Sequence, residues 1–310
     1  MDKLSYALGL SMGNNFKASG IETLTVEDFT RGVQAVFEGA KLEMTYDEAK
    51  QVINEYFTRL QQELNEKNRA AGEAFLEENK KRLVVLTGAG MSAESGLAVF
   101  RGSNGLWSGY RIEDVATPEG WIRNPQQVLD FYNARRRELL TVKPNDGHKG
   151  LAALETDFDV RIITQNVDNL HEQAGSRHII HLHGELMKVR SSRYENLIYD
   201  VSPDHIDTHI GDLCEKGYQL RPHIVWFGEA VPLIEPAIEE VEKADIFVVI
   251  GTSLNVYPAA GLLRYVPRNV PVFLIDPNPV NDASGRVTHV IQKGAGEGVK
   301  ELTKILKAGL

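Results

Sequence analysis

The chain has 310 residues, 34 Lys and Arg against 43 Asp and Glu, a formal charge of −9 and 42% hydrophobic residues. That apolar share fills a real core and excludes wholesale disorder, while the acidic balance argues against nucleic acid as the main partner. There is no charged-then-apolar leader and no apolar run of membrane length, and the lone cysteine, Cys214, excludes an intrachain disulfide; a cytoplasmic protein without a membrane partner is expected.

Up to about residue 80 the pattern is helical and rich in Glu, Gln and Asn. Thr25 and Thr45 suit helix N-caps, each with an acid three residues on, Asp28 and Glu48. From Thr45 to about Lys80 no proline intervenes, and Val52, Ile53, Tyr56, Phe57, Leu60 and Leu64 recur at helical spacing. Either a second copy covers this stripe or the stripe packs back onto the chain's other elements. The stretches "LSYALGLSMGNNFK" and "MTYDEAKQVINEYFTRLQQE" resemble the N-terminal dimerisation region of FKBP-type prolyl isomerases. No isomerase barrel follows, so the resemblance implies a homodimer through residues 1–80 and no isomerase activity.

From Leu83 the texture becomes α/β. "RLVVLTGAG", "VRIITQNVD", "ADIFVVIGTS" and "VPVFLIDPNP" are short apolar runs ending in Gly, Asn, Asp or Ser, with helical stretches between them. Apolar character on both strand faces predicts a Rossmann-like parallel sheet with helices on both sides, over residues 81–310. Ligands then bind beyond the C-terminal strand ends. Gly88, Gly90 and Ala93 stand in G-x-G-x-x-A spacing after the first strand, as a pyrophosphate-binding turn requires, although close packing alone also selects such glycines. No acid closes a second strand at the distance of an ordinary dehydrogenase; Glu113 and Asp114 lie in a segment without strand character.

"NPQQVLDFYNARRRELL" predicts a helix capped by Asn124 with Pro125 at its first position. Its buried stripe is Val128, Tyr132 and Leu139; Arg135 and Arg136 flank that stripe and Arg137 points away. Geometry leaves Arg135 and Arg136 equal, and both can instead reach water or pair with acids such as Glu138. About Lys188 to Gln219 the strand–helix alternation breaks, predicting a small inserted module.

The segments "TGAGMSAESGLAVFRG", "TQNVDNLHEQAG", "HLHGE", "LRPHIVWFGE" and "GTSLNVYPAAG" occur in this order and together resemble a sirtuin, an NAD-dependent protein-lysine deacylase. The resemblance implies that Gly88, Ala89, Gly90, Ser92, Phe100, Arg101 and Trp107 hold the diphosphate and nicotinamide ribose. It assigns Gln165, Asn166, Val167 and Asp168 to the nicotinamide pocket, and Gly251, Thr252, Ser253, Asp276, Asn278 and Ala295 to the phosphate and adenosine side. His183, with Asn166 and Asp168, is the implied catalytic set, His183 being the general base. By spacing alone His181 could serve as well; it and His178 are read as structural. In the family mechanism the acyl oxygen attacks the ribose and nicotinamide leaves, giving free lysine and O-acyl-ADP-ribose. Val225, Phe227 and Gly228 resemble one of two segments that take a substrate peptide as an added strand. An ordinary buried strand and loop is compatible with the same residues.

Two departures refine the expectation. Most sirtuins hold zinc with four cysteines in the small module; here "KVRSSRYENL" has serines and "DLCEKGYQLRP" only Cys214. Four thiolates cannot come from one cysteine, so no zinc is expected, and Tyr194, Leu197, Ile198, Tyr199 and Tyr218 are expected to hold the module by packing. His205, His209 and Cys214 are the alternative ligands. The pair Tyr132 and Arg135 resembles the Tyr-x-x-Arg of members that remove succinyl and malonyl groups, with acetyl removal retained. Mono-ADP-ribosyl transfer and a non-catalytic NAD or ADP-ribose sensor are the competing functions.

Overall fold

The computed structural model describes every residue except 22, 79, 98–108, 253–256, 280–284 and 310, and omits the side chains of 64, 68 and 70–78. The chain divides into two compact units, Met1–Glu78 and Asn79–Leu310.

The first unit is three helices, α1 (Lys3–Ala18), α2 (Val26–Glu38) and α3 (Tyr46–Glu78). Asp2 caps α1 by accepting the Ser5 N–H at 2.7 Å. At α3 the Thr45 box closes both ways: Thr45 N–H donates to Glu48 Oε2 at 2.7 Å and Glu48 N–H to Thr45 Oγ1 at 3.2 Å. Thr25 occupies the N-cap of α2 without a side-chain bond. Phe16 meets Phe29 edge to face at 5.5 Å, and Tyr56 donates to the Gly20 carbonyl at 3.2 Å. Neither α1 nor α2 buries a residue, and Val52 and Ile53 of the expected stripe are more than half exposed.

The second unit has strands β1 (Arg82–Thr87), β2 (Asp159–Thr164), β3 (Ile179–His181), β4 (Gly184–Ser191), β5 (Ile198–Asp200), β6 (Leu220–Ile224), β7 (Ile246–Ile250), β8 (Val272–Ile275) and β9 (His289–Ile291). Its helices are α4 (Ala89–Ala93), α5 (Ile112–Val115), α6 (Pro118–Arg123), α7 (Pro125–Leu139), α8 (Asp146–Leu154), α9 (Leu170–Ala174), α10 (Ile234–Glu242) and α11 (Ala295–Lys307). Six strands form a parallel sheet in the order β3-β2-β1-β7-β8-β9. Alternate residues of β1 bury on opposite faces. Leu83 and Val85 meet α8 and α11 through Leu151, Leu154, Val299 and Leu302, whereas Val84 and Leu86 meet α10 and the 3-10 helix Ala259–Tyr265 through Val241, Ala259 and Leu262. Burial on both faces explains why these strands read as unbroken apolar runs.

The strand order reverses between β1 and β7, which opens the crevice where ligands of such sheets bind. The small module is an antiparallel sheet, β5-β4-β6. A third core joins it to α5 and α7, with Val128, Phe131, Tyr132, Leu139, Leu186, Ile224 and Trp226 buried together. Asn124 caps α7 by accepting the Gln127 N–H at 3.1 Å, with Pro125 first in the helix.

Candidate functional site

At the exit of β1, the Gly88 N–H donates to the Ile250 carbonyl at 3.0 Å and the Gly90 N–H to the Gly251 carbonyl at 2.9 Å. A Cβ on Gly88 would lie 2.7 Å from Thr252 Cβ, and one on Gly90 would lie 2.6 Å from Gly251 Cα. Gly251 itself has φ +61°. The two strand exits therefore interlock backbone to backbone, and packing by itself requires the glycines. Ala89 opens α4 between them.

The exit of β2 supplies a buried polar knot. Asn166 Nδ2 donates to the Gly88 carbonyl at 3.0 Å and to Ser92 Oγ at 3.1 Å; Ser92 in turn donates to Asp168 Oδ2 at 2.8 Å. Asp168 also accepts the Leu170 N–H at 3.1 Å. Burial nonetheless holds its carboxyl above the ordinary range, outweighing the Leu170 and Ser92 bonds. Gln165 Nε2 donates to Thr252 Oγ1 at 3.1 Å, tying the exits of β2 and β7 together. Val167 packs against the third core.

The two candidate histidines separate cleanly. His181 contacts the Asn166 carbonyl through Nδ1 at 3.1 Å and Glu172 through Nε2 at 2.7 Å. Burial opposes its charge, but the Glu172 carboxylate prevails and raises its pKa, so both nitrogens are committed as donors. His183 Nδ1 lies 3.0 Å from the Gln165 carbonyl. A carbonyl only accepts, so Nδ1 carries the proton and Nε2 keeps its lone pair. Among the described residues Nε2 has no hydrogen-bond partner. Burial lowers the pKa of this ring, more than the Gln165 bond raises it. The arrangement can therefore accept a proton at one defined atom. His178 is exposed and lies just before β3.

On α7, Tyr132 is 4% exposed and its Oη accepts the Trp226 Nε1–H at 3.0 Å. The Tyr132 hydroxyl proton meets no acceptor among the described residues, and burial pushes its pKa upward despite the Trp226 bond. Arg135 lies over the Phe131 ring at 5.6 Å and pairs with Glu138 at 3.3 Å, while its Nε–H is buried and unpartnered. Arg136, equal with Arg135 on helical geometry, is wholly buried. It donates to the Leu186 carbonyl at 2.8 Å, Thr208 Oγ1 at 2.9 Å and Asn133 Oδ1 at 3.0 Å. Burial lowers its pKa to about 10. Arg137 pairs with Asp207 at the surface.

Val225 N–H donates to the His183 carbonyl at 2.9 Å and Phe227 N–H to the Ala116 carbonyl at 3.0 Å. This segment therefore lies directly beside the histidine. Phe227 and Gly228 are exposed, Gly228 with φ +91°. Glu229 anchors the segment by accepting the Trp226 N–H at 2.8 Å and pairing with Arg221 at 2.7 Å.

At the far side, Asp276 leaves β8 and accepts the Asn278 N–H at 2.8 Å. Ala295, 3% exposed, opens α11, and the next residue's N–H donates to Glu94 at 3.2 Å. Phe100, Arg101, Trp107 and Ser253 lie outside the described residues, as do Asn255 and Val256 of "GTSLNVYPAAG".

In the small module, Ser191 Oγ accepts the N–H groups of Arg193 and Tyr194 at 3.3 and 3.2 Å and the Cys214 thiol at 3.4 Å. Tyr194 and Tyr218 meet edge to face at 5.5 Å. Ile198, expected to pack there, is 43% exposed, because β5 is the edge strand and its side chain faces solvent. His205, His209 and Cys214 are not brought together. Among the described residues the one group with three potential metal ligands is Glu172, His181 and Glu185. Those acids are already paired with His181 and Lys188.

The Sir2 family profile matches residues 88–258, and a domain amino terminal to FKBP-type peptidyl-prolyl isomerase matches residues 1–97. An NAD-dependent protein deacylase of Bacteroides thetaiotaomicron is 62% identical over 229 residues, 73% of this chain and 98% of that one. One of Helicobacter pylori is 51% identical over 222 residues, 72% of this chain and 96% of its own. A mutant Sir2 homologue complexed with ADP-ribose superposes with a TM-score of 0.66 at 39% identity, covering 76% of this chain and 96% of that chain. A Sir2–p53 peptide–NAD+ complex gives 0.62 at 27% identity, covering 77% and 98%.

Proposed function

The chain belongs to the Sir2 family, and from that premise we propose that this NAD-dependent protein deacylase takes lysine acyl groups bearing a carboxylate, succinyl and malonyl, as well as acetyl. One observation carries the acyl preference. Tyr132 O–H and Arg135 Nε–H are two donors, three residues apart on α7, that meet no acceptor among the described residues. A buried donor left unpaired costs about 1–3 kcal/mol, and an acyl carboxylate supplies the missing acceptor. Acetyl carries none.

The donor set at the crevice suits a dinucleotide. Gln165, Asn166, Asp168 and Thr252 offer neutral donors and one carboxylate for sugar hydroxyls and a carboxamide, and Asp276 offers a second carboxylate. Gly88, Ala89, Gly90, Ser92 and Gly251 would hold the diphosphate side, with Asn278 and Ala295 at the adenosine. When bound, NAD supplies the ribose carbon that captures the acyl oxygen and nicotinamide as the leaving group. The chain's own part in the chemistry is to orient and to move a proton. Asn166 and Asp168 fix the crevice wall through Ser92, and His183 takes the sugar hydroxyl proton at Nε2. Val225, Phe227 and Gly228 would pair with the peptide main chain.

Residues 81–310 form the deacylase domain in this reading, and residues 1–80 join two copies. The support for pairing is apolar exposure, with Leu4 at 69%, Val52 at 57% and Ile53 at 55%. No described helix is long and apolar enough to cross a membrane, and the lone cysteine suits a cytoplasmic, reducing setting.

The test compares acetyl-, succinyl- and malonyl-lysine peptides with NAD for the wild type and Arg135→Met. Succinyl and malonyl turnover should fall more than tenfold relative to acetyl, as loss of a charge-assisted bond implies. An unchanged preference overturns the carboxylate reading.

A further inference from the structure

We propose that Trp226 is a positioning residue that sets acyl selectivity by fixing the direction in which the Tyr132 hydroxyl donates. The proposal rests on the carboxylate-bearing acyl reading above. An indole N–H can only donate, whereas a phenol oxygen both accepts and donates. The 3.0 Å bond from Trp226 Nε1 to Tyr132 Oη therefore has one polarity. With the indole N–H occupying one lone pair of the oxygen, the Tyr132 proton turns away from it. There it meets no acceptor among the described residues. Received hydrogen bonds also polarise a hydroxyl and strengthen the bond that it gives.

Trp226 has little freedom to let the phenol turn. It is 2% exposed, and the Arg221 guanidinium carbon stands 3.3 Å from its ring centroid. Arg221 is itself held by Glu229 at 2.7 Å and by the Ile224 carbonyl at 3.0 Å. Glu229 closes the loop on the Trp226 main-chain N–H at 2.8 Å. The cation, the carboxylate and the indole thus form one rigid bracket behind Tyr132. Since the bracket is built from residues 221–229 and the tyrosine from α7, the hydroxyl direction registers the peptide-side segment against the acyl-side helix. Arg135 supplies the acyl charge partner, and Trp226 decides whether the second donor points usefully.

The experiment uses the full chain with Trp226→Phe, Tyr132→Phe and the double variant, assayed on succinyl-lysine and acetyl-lysine peptides at saturating NAD. Trp226→Phe should raise KM for the succinyl peptide about tenfold, with kcat for either peptide and KM for the acetyl peptide moving less than about twofold. Tyr132→Phe should produce the same selective loss, and adding Trp226→Phe to it should change succinyl KM no further. Thermal unfolding of each variant controls for folding. Equal losses on both peptides, or additive losses in the double variant, overturn the proposal while wild-type succinyl turnover leaves the acyl reading intact. Absence of wild-type succinyl turnover overturns both.

Discussion

His183 gives its Nδ1–H to the Gln165 carbonyl at 3.0 Å, and that one bond decides which ring nitrogen can act as a base. Burial lowers the pKa of the ring below its ordinary 6.5, more than the Gln165 bond raises it. The neutral, working form therefore persists as the pH falls below the usual histidine range. The acid limb of kcat/KM should have an apparent pKa below about 6.5, and His183→Ala should abolish acyl transfer while NAD still binds. A limb at or above the ordinary value would refute His183 as the base.

Arg136 is a clamp between α7 and the small module, touching Leu186, Thr208 and Asn133 at once. Arg136→Met should cost about 3 kcal/mol in urea unfolding, because the Leu186 and Ile206 carbonyls, Thr208 Oγ1 and Asn133 Oδ1 each lose a charge-assisted bond at once. Arg137→Met should cost about 0–1 kcal/mol, since its Asp207 pair is at the surface. Equal midpoints for the two variants would remove the clamp.

How much of this was legible beforehand depends on how far apart the partners lie. The Thr45–Glu48 box and the Asn124–Pro125 helix start are local, and both formed as read. The apolar runs at β1, β2, β7 and β8 are strands because both their faces are covered. β3 and β9, three residues each, carry too little pattern to be seen. Gly88 and Gly90 were visible as a turn, yet Gly251, the residue they pack against, is remote in sequence. Burial of Arg136 was hidden for the same reason, its Leu186 and Thr208 acceptors lying 50 or more residues away. The Trp226–Tyr132 bond spans 94 positions, and no helical or strand period connects them.

Two buried histidines behind the crevice make stability fall in mild acid. His148 is pushed down to about 4 by burial, against the pull of Glu172, and His171, edge to face with it at 4.8 Å, is held by burial well below its ordinary value. Unfolded, each titrates near 6.5. Between about 6.5 and 4 the unfolded chain binds more protons, so their contribution is whole above 6.5 and declines as the pH drops. His181 has the opposite shift, and its contribution is lost only as the pH rises through its raised pKa. The urea midpoint should therefore be lower at pH 5 than at pH 7, with a smaller drop in His148→Gln. A midpoint equal at both values would contradict the burial of neutral rings.

The small module should stand without metal. Ser191 Oγ holds its turn by receiving two backbone N–H groups and the Cys214 thiol. The facing turn closes through Cys214 N–H to the Tyr218 carbonyl and Gly217 N–H to the Cys214 carbonyl, each 2.8 Å. Tyr194 and Tyr218 pack across the two turns, with the Lys216 ammonium 4.4 Å from the Tyr194 ring. One thiol and one hydroxyl fall short of the four ligands of a structural zinc site. Dialysis against a strong chelator should leave Tm and turnover unchanged, and elemental analysis should find far less than one zinc per chain. Cys214→Ser should cost no more than about 1 kcal/mol, because a hydroxyl can replace the thiol as donor to Ser191. Stoichiometric zinc, or melting on chelation, would show that His205, His209 and Cys214 come together around an ion after all.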